Sequence, residues 1–190
     1  MRRAIVAFAV VAMMMTSAGP AAATPEVPIK GTVVGPGGPE YDADGVPQAP
    51  GCAPGAIWRF DSSGTGNMSH LGAVGYNLSH CTFVDPGSGL FLAKDGEIVF
   101  TAADGDTLVV AEDGVFEGIA DQTGLIGFEG EGTWTAVGGT GRFAHATGSG
   151  SWTVVGDIPG GDELFGLPQG WMKIDLAGRI SYTASDRSGR

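Results

Sequence analysis

The chain is poor in the residues that most often carry catalysis or bind metals. Of its 190 residues, only two are cysteine and three are histidine. The histidines lack the spacing of a zinc site, and neither a C-x-x-C redox motif nor the G-x-S-x-G motif of serine hydrolases is present. The sequence therefore predicts no metal and no cofactor, and it does not decide whether the protein is an enzyme.

Basic residues are also scarce. Ten lysines and arginines stand against 21 aspartates and glutamates, which gives a net charge of −11. Such a surface repels nucleic-acid phosphates and anionic lipid headgroups, so we expect neither as a partner. A calcium ion on an acidic rim formed by Asp104, Asp106, Glu112 and Asp113 stays open, because the EF-hand order of ligands is absent and Asp-Gly pairs also form turns.

Long apolar runs are absent after the first residues. Arg2 and Arg3 precede a short apolar run over 4–15, and three alanines at 21–23 form a cleavage site. This arrangement is typical of a secretory signal peptide over residues 1–23, and the run is short for a membrane span. We therefore expect a secreted, extracellular protein whose mature chain begins at Thr24 and does not associate with a membrane.

The two cysteines, Cys52 and Cys81, both lie in the mature chain. In an oxidising compartment an even number of cysteines indicates a disulfide. Two separate buried thiols are the alternative.

The mature chain has strand patterns and no helical periodicity beyond one short turn within 141–146. Residues 24–55 are rich in proline and glycine, so we expect them to be irregular apart from an edge strand at 32–34. Residues 56–184 carry nearly all the strand patterns and form the predicted domain. Residues 185–190 are a polar tail.

Three Asp-Gly pairs, beginning at Asp95, Asp104 and Asp113, lie nine residues apart. Asp-Gly is a strong signal for a two-residue hairpin turn, so the pairs predict short strands in a meander. With the other strand patterns they suggest about eight core strands, the number that closes a small barrel. The predicted fold is an all-β, antiparallel, eight-stranded up-and-down β-barrel.

Three glycine-rich motifs carry a resemblance to a known family. They are GTGNMSHLG at 64–72, TAADGDTL at 101–108 and GGTGRFAHATGSG at 138–150. The chain resembles exported bacterial proteins of the allene oxide cyclase barrel type, and the third motif also resembles plant dirigent proteins. The resemblance implies a barrel with a central cavity in which plant relatives steer cyclisation or radical coupling of small hydrophobic molecules. No catalytic residue of those enzymes matches a position here.

The oligomeric state is predicted from two features. The resemblance implies a barrel that is often trimeric. Several strands are also apolar on both faces, so part of the outer surface should be covered by residues 24–55 or by other subunits. We expect a homo-oligomer, a trimer rather than a dimer.

Aromatic residues give the best indication of a ligand. Trp134 and Trp152 are nearly symmetric about residue 143, so a symmetric hairpin places them side by side. His70 would lie opposite His80 if the chain folds back near Gly75, and far from it if the segment is one long strand. The predicted cavity residues are Trp134, Trp152, His70, Tyr76 and Arg59.

The sequence thus predicts a secreted barrel that binds a small hydrophobic molecule, with or without cyclising or isomerising it. The alternative is a structural or interaction module whose interior is fully packed.

Overall fold

A computed structural model describes residues 25–122, 124–158 and 170–183. The predicted signal peptide and the polar tail lie outside the described residues. In the three ranges no helix is long and apolar enough to cross a membrane. The strands are β1 (Val27–Tyr41), β2 (Pro47–Gln48), β3 (Trp58–Met68), β4 (Gly72–Val84), β5 (Phe91–Ala102), β6 (Thr107–Asp121), β7 (Gly124–Gly139), β8 (Thr147–Asp157) and β9 (Gly170–Ser181).

Eight of these strands form a closed barrel. β1 pairs with β3, and each strand from β3 to β8 pairs with the next, always antiparallel. The barrel closes where β1 meets β9, from Val27 opposite Ile180 to Gly37 opposite Gly170. β2 pairs only with the end of β1 and lies outside the barrel. The predicted fold is confirmed.

The strands are longer than the Asp-Gly pairs predict. Asp104 and Gly105 do form the turn between β5 and β6, where Gly105 has a φ of 88° and its N–H donates to the carbonyl of Ala102. The predicted turns at Asp95 and Asp113 are wrong. Asp95, with a φ of 54°, belongs to an irregular stretch inside β5. Asp113 lies inside β6, where it pairs with Thr133 of β7. A bulge absorbs an Asp-Gly pair without reversing the chain.

The prediction of an irregular lead segment is wrong for β1, which runs from Val27 to Tyr41 as a full strand of the barrel wall. Its inward side chains Ile29 and Val33 are buried in the core. Glycines fill other positions: a Cβ at Gly35 would overlap the backbone of β3 at Ser63. The many glycines of this segment therefore reflect close packing between strands and not disorder. Amino-acid composition alone does not distinguish the two.

Side chains alternate between the barrel interior and its outer face. Inward positions supply a continuous apolar core that includes Val33, Phe100, Leu108, Ile174 and Ile180. The outer face is mainly polar but exposes large apolar residues, with Val137 at 59%, Val155 at 53% and Trp171 at 61% of full exposure. The strands that carry these residues are therefore apolar on both faces at these positions, as the sequence predicts.

One end of the barrel, here called the cap end, is closed by the segment between β7 and β8. A short 3₁₀ helix (Gly141–Phe143) places Phe143 in the core with no exposed surface. Arg142 donates to the carboxylate of Asp104 at 2.7 Å, and its backbone N–H donates to Asp106 at 3.2 Å. The motifs at 101–108 and 138–150 thus contact each other and cap the barrel.

Cys52 and Cys81 form a disulfide, as predicted. The bond joins the connection before β3 to the outer side of β4. It links residues 29 positions apart, and closing a loop of that length stabilises a fold by about 3–4 kcal/mol.

Candidate functional site: a cavity at the end opposite the cap

A cavity of about 100 Å³ lies inside the barrel at the end opposite the cap. Residues from all eight barrel strands line it. They are Gly37, Gly38, Pro39, Trp58, Phe60, Leu78, His80, Phe91, Ile98, Glu112, Phe116, Gly118, Leu125, Phe128, Trp152, Val154, Ile158, Gly170, Met172 and Ile174. Almost all of these residues are apolar, so the cavity suits an apolar ligand.

Aromatic rings form much of the cavity wall. Phe116 lies 6.0 Å from Phe91 and 6.4 Å from Phe128, measured between ring centroids. Phe60 lies 6.5 Å from Phe128 in an edge-to-face arrangement. These separations are typical of favourable aromatic pairs, so the wall is a connected set of rings.

Two ionisable side chains stand in this apolar wall. The Nδ1 atom of His80 lies 2.9 Å from Oε1 of Glu112, and the side chains are only 8% and 1% exposed. The imidazole stacks on Phe60 at 5.1 Å and contacts Phe116 at 5.6 Å. A buried charge-assisted pair among aromatic rings is costly to build, which makes it a candidate functional group.

The strand registers explain how the pair forms. His80 lies on β4 directly opposite Phe60 of β3, next to an irregularity in the pairing of β4 with β5. Glu112 lies on β6 opposite Gly96 of β5. A Cβ at Gly96 would overlap the Glu112 carboxylate, so glycine leaves the space through which the carboxylate reaches His80.

Three polar atoms of cavity residues have no hydrogen-bond partner among the described residues. They are Nε2 of His80, Oε2 of Glu112 and Nε1 of Trp152, all buried. Buried polar atoms in folded proteins are nearly always paired, so this group needs an explanation.

The two tryptophans lie on the inner face but are not directly opposite each other. Trp134 pairs with Gly150, and Trp152 pairs with Gly132. Each ring lies over glycines of neighbouring strands, where a Cβ would overlap it. The predicted symmetric register of the hairpin is therefore wrong by two residues. In the observed register each indole packs on a glycine instead of on the other indole. Trp152 lines the cavity, whereas Trp134 is buried outside its lining and donates to the carbonyl of Ser151 at 3.1 Å.

Tyr76 lies deeper in the core and does not line the cavity. The Ser62 hydroxyl donates to the carbonyl of Pro36 at 2.8 Å, so the Tyr76 hydroxyl, 2.8 Å from Ser62, donates to it. Burial raises the pKa of Tyr76, and the hydrogen bond with Ser62 acts in the opposite direction. The hydroxyl is already paired, so Tyr76 acts in packing.

His70 and Arg59 also lie outside the cavity lining. His70 lies in the turn between β3 and β4 at the cap end, with a φ of 69° and its Nε2 2.9 Å from the carbonyl of Pro28. The chain folds back at 69–71, so neither expected arrangement of His70 and His80 occurs. Arg59 points to the outer surface, where it donates to Asp61 and to Ser79.

Sequence reasoning missed Glu112 as an interior residue and assigned it to an acidic rim. The signal was present, because Leu108, Val110 and Glu112 alternate on one face of a strand and share its buried side. The other acids of the predicted rim face basic side chains. Asp104 and Asp106 bind Arg142, and a carboxylate oxygen of Asp113 lies 3.9 Å from Nζ of Lys94. Within the described ranges no group of three or more His, Cys, Asp or Glu could hold a metal ion.

Comparison of the chain with protein-family models, with curated proteins and with solved structures finds no match.

Proposed function

We propose that this protein is exported and that its barrel binds a small hydrophobic molecule in the cavity beside Trp152. The observation that carries the proposal is an apolar cavity inside a closed barrel, walled by aromatic rings. The N-terminal sequence pattern supports export, and the resemblance to allene oxide cyclase barrels supports a cavity that takes small hydrophobic molecules.

The size of the cavity limits the ligand. A cavity of about 150 Å³ lined by aliphatic and aromatic side chains binds benzene. The present cavity, at about 100 Å³, fits a molecule no larger than a single ring or a short branched chain while the wall keeps its conformation. A larger ligand requires the wall rings to move.

A second function, cofactor-independent cyclisation or isomerisation of the bound molecule, is favoured by one observation. His80 and Glu112 form an ionisable pair in the cavity wall, 2.9 Å apart. Isomerases move protons with positioned side chains of this kind, in a site from which water is excluded. A barrel that served only as a packed structural module would not need such a pair.

The binding proposal is tested by a substitution that fills the cavity, with a control substitution on the outer face of the same strand. Val154 lines the cavity and is 6% exposed, whereas its neighbour Val155 faces out and is 53% exposed. Val154→Phe should abolish binding of single-ring apolar compounds such as toluene, and Val155→Phe should leave it unchanged. Binding is followed by the fluorescence of Trp58 and Trp152, which line the cavity.

Native mass spectrometry of protein purified from its own culture medium extends this test. A co-purifying small molecule that is retained by Val155→Phe and lost by Val154→Phe would support the proposal. No bound species, together with no fluorescence change across apolar, terpenoid and phenolic compounds, would contradict it.

A further inference from the structure

We infer that the molecule bound in the cavity carries a hydroxyl group on an otherwise apolar frame, and that the hydroxyl binds to His80. This inference rests on the proposed binding function. It starts from Nε2 of His80, Oε2 of Glu112 and Nε1 of Trp152, which are buried and lack partners among the described residues.

The pairing with Glu112 decides what Nε2 of His80 can bind. An ionised carboxylate only accepts hydrogen bonds, so at 2.9 Å it requires the proton of a neutral imidazole to be on Nδ1. Nε2 then carries a lone pair and accepts a hydrogen bond. With a neutral imidazole, the ligand group that reaches Nε2 must be a donor, which a ketone, an ether or an epoxide is not.

Trp152 supplies the complementary requirement. Its indole Nε1–H can only donate, and it has no acceptor within the described part of the chain. A hydroxyl is the smallest neutral group that donates through its hydrogen and accepts through its oxygen. A carboxylate does not meet the requirement, because it cannot donate to His80 and would be repelled by Glu112.

The rest of the wall is apolar, so the remainder of the ligand is a hydrocarbon. Phe60 and Phe116 both contact the His80 ring, and because Nε2 is buried, these rings must turn slightly for a hydroxyl to reach it. The structure thus indicates an alcohol of about single-ring size.

Two probes of similar shape test the inference, cyclohexanol and methylcyclohexane. An apolar cavity favours methylcyclohexane, because burying an unpaired hydroxyl is costly. We expect the wild-type protein to bind cyclohexanol at least as tightly. In the double variant His80→Phe/Glu112→Leu, which removes both polar side chains together, the preference should shift toward methylcyclohexane by about tenfold or more, or about 1.4 kcal/mol.

The outcomes separate the two proposals. If neither probe binds the wild-type protein, the binding function itself fails. If both bind, and the wild-type protein favours methylcyclohexane by the same ratio as the double variant, binding stands and the hydroxyl inference is overturned. Should the double variant not fold, the ¹⁵N chemical shift of His80 Nε2 in the wild-type protein decides. It should move with cyclohexanol and not with methylcyclohexane, and equal shifts would overturn the inference.

Discussion

Gly96 is the residue on which the buried pair depends most directly. A Cβ at this position would overlap the Glu112 carboxylate and force it away from His80. We expect Gly96→Ala to lower the free energy of unfolding by about 2–4 kcal/mol, because two buried polar groups lose their partner. Urea unfolding measures this change.

Gly75 on β4 gives the matched control for Gly96. A Cβ at Gly75 would meet only the carbonyl oxygen of Gly64 at 3.8 Å, an ordinary contact. Gly75→Ala should therefore change the free energy of unfolding by less than about 1 kcal/mol. Equal effects of the two substitutions would show that the carboxylate does not depend on the space at Gly96.

Tyr76 should affect stability at alkaline pH. Burial raises its pKa in the folded protein above the ordinary value of about 10. The folded state then holds the phenolic proton more tightly than the unfolded state. The free energy of unfolding is therefore undiminished below about pH 10 and falls as the pH rises through the folded-state pKa.

Tyr76→Phe removes this contribution, at the cost of the hydrogen bond with Ser62. Urea unfolding of both proteins near pH 8 and near pH 11 should show a smaller alkaline loss for the variant. A loss of the same size in both proteins would exclude Tyr76 as its source.

Single residues were the hardest feature to predict from the sequence. Trp152 lines the cavity, and its place on an alternating strand predicts that its side chain faces inward. His80 and Glu112 were not identified as a pair, since they are 32 positions apart and meet only through the registers of β4, β5 and β6. Registers of this kind depend on bulges, which local sequence patterns do not specify.

At the scale of elements, the connection between β7 and β8 should act as the stabilising cap of the barrel. Phe143 has no exposed surface, and its ring lies 5.0 Å from that of Tyr182. Phe143→Ala should lower the free energy of unfolding by about 3–5 kcal/mol, through lost burial and a cavity. His145, in the same segment, is exposed, so His145→Ala should be nearly neutral. Similar losses in both variants would contradict a cap centred on Phe143.

The number and order of the strands followed from the sequence, but their lengths did not. Alternating apolar residues and glycine-rich connections indicated a meander of about eight strands. Asp95 and Asp113 were mistaken for turns because the same dipeptide serves a turn at Asp104 and continuous strands elsewhere. Only an edge strand at 32–34 was predicted within β1, because glycine and proline obscure the period of the rest, although Ile29 and Val33 mark its inward side.

At the scale of the whole molecule, the outer face bears on the predicted trimer. Lys173 pairs with Val155 and with Val34, and Trp171 lies two residues away on the same face. The apolar side chains of Val34, Val155 and Trp171 are 41–61% exposed, and an apolar patch of this kind is unfavourable in contact with water. We predict a homotrimer in sedimentation experiments at micromolar concentration, and Trp171→Glu should shift it toward monomer. A wild-type monomer would contradict this.

The interior of the barrel, at the end opposite the cap, should admit a small apolar ligand. The most direct test is a crystal structure determined under xenon pressure, because xenon enters apolar cavities of this size without specific chemistry. We expect a xenon atom in the barrel among Phe60, Phe116 and Trp152. A barrel free of xenon, with side chains filling the space between those rings, would contradict it.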